Sequence, residues 1–253
     1  PFPKMGVVGA AVATVLGYVV STIIALIQLF LTKQKVKPVF KNCLEPQMIK
    51  LIFSYGLPSF VMNALGAFTV NFANMFLVRY SDTAVAFFGA YFKVQQLIFM
   101  TVNGLIQGCL PIMRFNYRAK EYGRLKQANK SGTIIATVMM IVGMLLVLIF
   151  PKEILFLFSA SEEMCAFGVP AMRIMSLGFV FSGFSAMIAT YEQATDSIMP
   201  GVVVQLLRQG VLLVPVIWLL NSTVQMTGIW LAFPITEFVT FLVAVVFAKI
   251  KNH

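Results

Sequence analysis

The chain is nearly without histidine: its one copy, His253, is the last residue and reads as tail rather than ligand. A Ser–His or Cys–His nucleophile pair therefore has no base inside the chain. HExxH, GxSxG and P-loop patterns are missing as well. Lys130-Ser131 imitates the end of a Walker motif, but the glycines before it are absent. The three cysteines, Cys43, Cys109 and Cys165, lie far apart with no CxxC pair, so neither a disulfide framework nor a zinc site is implied. These absences predict no enzyme, no cofactor and no metal. Charge is also scarce: 11% of residues are charged, against about 25% in an average soluble domain. Finally, the start PFPKMGVVGAAVATV has no initiator Met and no basic head, short apolar core and cleavage site. It reads as a chain cut from something longer.

Apolar residues take the vacant places. They make up 59% of 253 residues, with 24 Phe and 15 Met. A bilayer-spanning helix needs about 20 predominantly apolar residues. Seven such runs are present, over residues 5–31, 51–79, 84–113, 131–150, 165–191, 201–220 and 227–249. The expected fold is an all-α membrane protein with seven transmembrane helices.

The net charge of +10 does not indicate a nucleic-acid partner, because the basic residues sit in short segments between apolar runs. Segment 32–50 carries Lys33, Lys35, Lys37, Lys41 and Lys50; segment 114–130 carries Arg114, Arg118, Lys120, Arg124, Lys126 and Lys130; the tail carries Lys249 and Lys251. Alternation along seven spans puts all three segments on one side, which the positive-inside rule makes the cytoplasm. The expectation is a multi-pass protein of the inner (plasma) membrane with a cytoplasmic C-terminus. The loop near Asp196 falls on the same side yet has no Lys or Arg.

Local signals place some helix ends. Ser159-Ala-Ser-Glu162 has capping-box spacing and predicts a helix start there. Pro151 is expected to end the fourth span, and Pro170, Pro215 and Pro234 to kink the spans that hold them. Gly9, Ala13 and Gly17 give the first span a small-residue face. The first and last spans also match: Gly9, Ala13, Val20 and Ala25 fall on Gly228, Ala232, Val239 and Ala244 at one constant offset, as a parallel internal repeat would produce.

Polar residues inside the apolar runs are the candidate functional groups, because in a membrane they face a bundle or a cavity. Gln96, Asn103 and Gln107 are 7 and 4 apart and share one stripe of the third span. Lys93 lies one turn before it. Asn63, Asn71 and Asn74 lie on the second span, and Gln205, Arg208 and Gln209 on the sixth. Amides there can simply join helices, at about 0.6 kcal/mol each, or line a substrate cavity. Lys93 and Arg208 invite an anchoring role, by snorkelling or by pairing with acids. Glu237 stands in the middle of TGIWLAFPITEFVTFLVAVVFAKI. Hydrocarbon disfavours a charged carboxylate, so such a group suits proton uptake or cation binding. It is the coupling-ion candidate, with Thr236 and Thr240 as neighbours able to hydrogen-bond it. The alternative is a structural carboxylate paired with a base such as Arg208. Glu192, near the cytoplasmic end of the fifth span, reads as a solvated end residue.

The run Gly104-Leu-Ile-Gln-Gly-Cys-Leu-Pro-Ile-Met-Arg-Phe-Asn-Tyr-Arg-Ala-Lys-Glu-Tyr-Gly-Arg124 resembles the "G…G…P…NYGA…R" signature of multidrug and toxic compound extrusion (MATE) transporters. Other pieces resemble that family in order. Lys4–Ala11 is similar to the start of its sixth helix, Tyr55-Gly-Leu-Pro-Ser59 to its seventh, and Tyr191-Glu-Gln-Ala194 to the end of its tenth. Leu207-Arg-Gln209 is similar to its eleventh, and Gly228-Ile-Trp230 with Pro234 and Glu237 to its twelfth. Arg118 replaces the usual glycine, and Glu192 stands where an aromatic is usual. The resemblance implies three parts: residues 1–32 as the last helix of a truncated N-terminal lobe, 33–48 as a basic cytoplasmic connector, and 49–253 as a C-terminal six-helix lobe. It implies a secondary active multidrug efflux antiporter driven by protons or sodium. The expected partners are the lipid bilayer, the missing N-terminal lobe and a small amphipathic substrate. The alternatives are a flippase for lipid-linked oligosaccharides, which would favour a basic lumen, and a non-transporting membrane scaffold.

Overall fold

The computed structural model describes residues 6–31, 45–195, 203–204 and 206–251. Among them every regular element is a helix: α1 Gly6–Leu31, α2 Pro46–Leu77, α3 Asp82–Arg118, α4 Tyr122–Ile149, α5 Pro151–Leu157, α6 Glu162–Ser176 and α7 Phe179–Ala194. A π-helical turn, Leu207–Val211, then leads into α8, Leu213–Val224, and α9, Met226–Lys251. Five stretches are long and apolar enough to cross a bilayer: Ala11–Leu31, Asp82–Arg118, Tyr122–Ile149, Glu162–Ala194 and Met226–Phe247. Ala64–Leu77 and Leu213–Val224 are shorter apolar helical stretches.

The chain divides into two compact units, Pro1–Tyr55 and Gly56–His253. In the first, α1 presents apolar side chains such as Tyr18, Phe30 and Leu31 outward. Among the described residues nothing lies within 4 Å of a Cβ placed on Gly17. In the second, α3, α4 and α7 pack mutually, and α9 lies against α6, α7 and α8.

Helices meet where side chains are small, as membrane bundles require. A Cβ on Gly183 of α7 would lie 2.8 Å from Cγ of Met140 and 3.2 Å from the Ala136 carbonyl on α4. A Cβ on Gly168 of α6 would lie 2.8 Å from the Phe87 ring of α3. That ring meets Trp230 of α9 edge to face, with centroids 5.2 Å apart. Phe88, Phe92 and Phe233 continue the aromatic core.

The helix ends depart from the sequence expectations for local reasons. The third and fourth spans continue past the apolar runs as helix, so Arg114, Arg118, Arg124, Lys126 and Lys130 ride on α3 and α4 rather than on a loop. Lys120, with φ 59, turns the chain between them. The fifth span is two helices that break at Leu177–Gly178, not at Pro170, which stays inside α6. The cap of α6 is Ser161, whose Oγ accepts from the Met164 N–H at 3.1 Å. Ser159, proposed for that role, instead has φ 55 and turns the chain. Pro151 does follow the end of α4, and it opens α5, where its missing N–H does no harm. At the opposite end from Lys120, the Tyr80 hydroxyl donates to Oδ1 of Asn221 at 2.8 Å. This bond puts the α2–α3 turn and the end of α8 on one side of the bundle, as alternating spans require.

Candidate functional site

Glu237 sits at the middle of α9, three residues after Pro234. Two departures from regular helix bring partners to it. The first is the break at Leu177–Gly178. A Cβ on Gly178 would stand 3.2 Å from both Cγ of Glu237 and Cα of Pro234, so the missing side chain is what lets the α6–α7 junction close on α9. The second is the π-turn. The Leu212 N–H donates to the Leu207 carbonyl at 3.1 Å, one residue farther back than in an α-helix. Pro215 explains part of this, because it has no N–H for the Val211 carbonyl and its ring displaces the preceding turn. Gly210 contributes as well: a Cβ there would lie 2.8 Å from the Leu65 side chain of α2.

The π-turn carries Arg208 to Glu237. Nε of Arg208 donates to Oε1 of Glu237 at 2.8 Å, and the two side chains are only 17% and 15% exposed. The guanidinium also covers the Phe99 ring of α3, 5.0 Å from its centroid. Phe99 meets Phe179 edge to face at 5.7 Å, and Phe179 stacks on Tyr91 at 6.4 Å. A carboxylate and an aromatic face thus enclose one cation. The carboxylate is not saturated: Oε2 of Glu237 is buried without a hydrogen-bond partner among the described residues.

Thr236 and Thr240 do not do what their spacing offered. Both hydroxyls are buried without a hydrogen-bond partner among the described residues, so the carboxylate is held from α8's side by arginine rather than along its own helix. Glu192 is a further correction. It is 1% exposed rather than solvated, because α7 packs against α3, α4 and α9.

The remaining candidates divide. Gln96, Asn103 and Gln107 are all exposed on α3. They belong to a continuous stripe that runs Gly89, Lys93, Gln96, Met100, Asn103, Gln107, with Gly104 and Gly108 beside it. Among the described residues nothing lies within 4 Å of a Cβ placed on any of the three glycines. Phe99 is three residues after Gln96 and four before Asn103, so the Arg208–Glu237 pair adjoins the edge of this stripe. On α2, Asn71 is exposed and bonds its own helix at the Ala67 carbonyl, at 3.0 Å. Asn74 is half-buried, with Oδ1 buried and unpartnered among the described residues. The side chains of Asn63 and Gln209, and all of Gln205, lie outside the described residues.

Sequence reasoning missed Phe99, Tyr91, Phe179 and Gly178. Phe99 had a signal, since it lies one turn from two stripe residues. The aromatic pair and the glycine had none, because their roles depend on which helices meet.

A family model, MatE, matches residues 58–219. The chain is 26% identical to the multidrug export protein MepA of Staphylococcus aureus (strain bovine RF122 / ET3-1) over 235 residues, which is 92% of this chain and 51% of that protein. It is also 26% identical to the MepA of Staphylococcus saprophyticus over 244 residues, 95% of this chain and 53% of that one. The chain therefore spans about half the length of the curated relatives it matches. Its fold is similar to an outward-facing multidrug resistance MATE family transporter of the MOP superfamily, with TM-score 0.82 at 20% identity over 98% of this chain and 56% of the other. It is equally similar to a MOP superfamily transporter from Pyrococcus furiosus described as having a binding pocket of reverse polarity, with TM-score 0.83 at 20% identity over 98% and 57%.

Proposed function

The chain belongs to the MatE family of membrane transporters, which are not enzymes, and from that premise we propose that it is the C-terminal part of a multidrug efflux antiporter coupled to protons or sodium. On this reading the chain contributes seven spans. Residues 1–32 are the last helix of an N-terminal lobe, residues 33–48 a cytoplasmic connector, and residues 49–253 a six-helix lobe with its C-terminus in the cytoplasm of a plasma-membrane protein. The substrates are amphipathic, mostly cationic compounds.

The observation that carries the reading is the contrast between two bare helix faces in one bundle. On α4, Ile134, Ile135, Val138, Val142, Leu145, Leu146 and Ile149 are exposed, a surface suited to acyl chains. On α3 the exposed stripe holds Lys93, Gln96, Asn103 and Gln107 among glycines. A lysine at a helix centre costs about 2.5–3.5 kcal/mol against lipid, and buried amides need partners. That face therefore suits a wet cavity closed by the other lobe, with sites between repeats near the midplane. A scaffold role predicts that the stripe packs against its own bundle, and among the described residues it stays exposed. A lipid-linked sugar flippase predicts a basic lining, and the stripe holds one lysine among three amides.

Glu237 is the coupling candidate in this lobe. The test is dye export by the full-length protein, with sodium and pH varied separately, for the wild type and Glu237→Gln. Loss of about tenfold or more in export at equal membrane abundance is expected, equivalent to about 1.4 kcal/mol. Unchanged export by the variant removes Glu237 from coupling, and a wild type that moves no dye under either gradient removes the exporter reading.

A further inference from the structure

The Arg208–Glu237 pair has features of an occupied binding site rather than of a permanent strut. A strut of this kind is strongest as a two-pronged fork, in which two guanidinium N–H groups meet both carboxylate oxygens. Here Nε alone reaches Oε1, and Oε2 keeps no hydrogen-bond partner among the described residues. The rest of the guanidinium lies over an aromatic ring, Phe99, at 5.0 Å. Flat delocalised charge, one carboxylate and one ring face is also the chemistry that recognises a planar organic cation. The pair is not sealed, since both side chains keep some exposure, and it adjoins the polar stripe of α3 through Phe99.

The backbone that bears Arg208 supports the same view. A π-turn holds one residue more than an α-helical turn, and such turns concentrate at functional sites. The extra residue sits in Leu207–Val211, the segment that includes Arg208. Return of that turn to α-helical spacing would swing position 208 by about 100° around the helix and take the guanidinium off the acid.

We propose that Arg208 is a tethered competitor: it occupies the Glu237–Phe99 site in the resting protein, and a planar organic cation displaces it there to bind. This rests on the export reading and identifies the site and its internal occupant. No bond is made or broken. One cation replaces another at the carboxylate, and Arg208 keeps its own charge after release.

The proposal has a sign that a structural ion pair does not share. If Arg208 holds the acid about nine-tenths of the time, the site is open to a ligand one-tenth of the time, and removing the competitor tightens binding about tenfold. The experiment is a fluorescence titration of ethidium, a planar cation, into the purified full-length protein in lipid nanodiscs. Arg208→Gln is expected to bind about tenfold more tightly than wild type, and Glu237→Gln at least tenfold more weakly. Arg208→Lys is expected to fall between wild type and Arg208→Gln, because a point charge cannot lie flat on the ring. Weaker or equal binding by Arg208→Gln overturns the proposal. If that variant does not fold, Arg208→Lys decides alone, and binding no tighter than wild type overturns it. Parallel ethidium efflux separates the two readings. Export by a wild type whose arginine variants bind no better defeats only the competitor. A wild type that neither binds nor exports the dye defeats both.

Discussion

At the scale of single residues, the membrane changes what a charge means. Glu237 in an apolar helix left two readings open, a coupling group or a carboxylate paired with a base such as Arg208, and the structure shows the pair, 29 residues apart. The pairing helps explain why both residues are tolerated: each offsets part of the cost of burying the other, and deletion of one leaves a sheltered charge without this counter-ion. Glycines are decided by the same logic of neighbours. Gly183 faces Met140 and the Ala136 carbonyl at 2.8 and 3.2 Å from a notional Cβ, whereas nothing lies within 4 Å of one on Gly108. Gly183→Ala is therefore expected to destabilise the bundle by about 1–3 kcal/mol through overpacking. Gly108→Ala is expected to be neutral or to stabilise by up to about 1 kcal/mol through helix propensity. Thermal unfolding of the purified full-length variants in detergent measures both, and equal midpoints for the pair would contradict the α4–α7 packing.

At the scale of elements, apolar run length predicted where helices lie, and departures from helix predicted nothing in advance. The break at Leu177–Gly178 has no proline or polar cluster to mark it. It was legible only once Gly178 was seen against Pro234 and Glu237 of α9. The π-turn itself was not foreseen, although Pro215 just after it was expected to kink that span. The polar stripe of α3, by contrast, was legible from spacing alone, because Gln96, Asn103 and Gln107 fall on one face of any helix. Its exposure gives it a testable role. Gln96→Leu and Asn103→Leu are expected to lower dye export about fivefold each, the equivalent of one hydrogen bond of about 1 kcal/mol. Val138→Leu and Val142→Leu, on the apolar face of α4, are expected to leave export unchanged. Full export by both amide variants at normal abundance would mean that the stripe packs against another helix instead of binding substrate.

At the scale of the whole molecule, the chain covers about half of its relatives, and the polar stripe of α3 is exposed among the described residues. The proposed orientation follows from charge: it puts the Lys120 turn and the end of α9 on the cytoplasmic side and the bond between Tyr80 and Asn221 on the other. In the full-length protein made cysteine-free, single cysteines at Lys120 and Asp82 are expected to react oppositely with an impermeant maleimide in intact cells. Asp82→Cys should label, and Lys120→Cys should label only after the membrane is opened. The reverse pattern would invert the topology.

What the sequence by itself determined was membership in the membrane and a set of helical faces. Both follow from hydropathy and the helical period, which are properties of neighbours along the chain. It also determined the family, through six short pieces in register. What only the tertiary structure decided was which partner each buried polar group takes: Arg208 rather than Thr236 or Thr240 for Glu237, and enclosure rather than water for Glu192. Those choices depend on residues far apart in sequence that meet only when helices pack, and on irregular turns whose cause lies partly in the helix opposite.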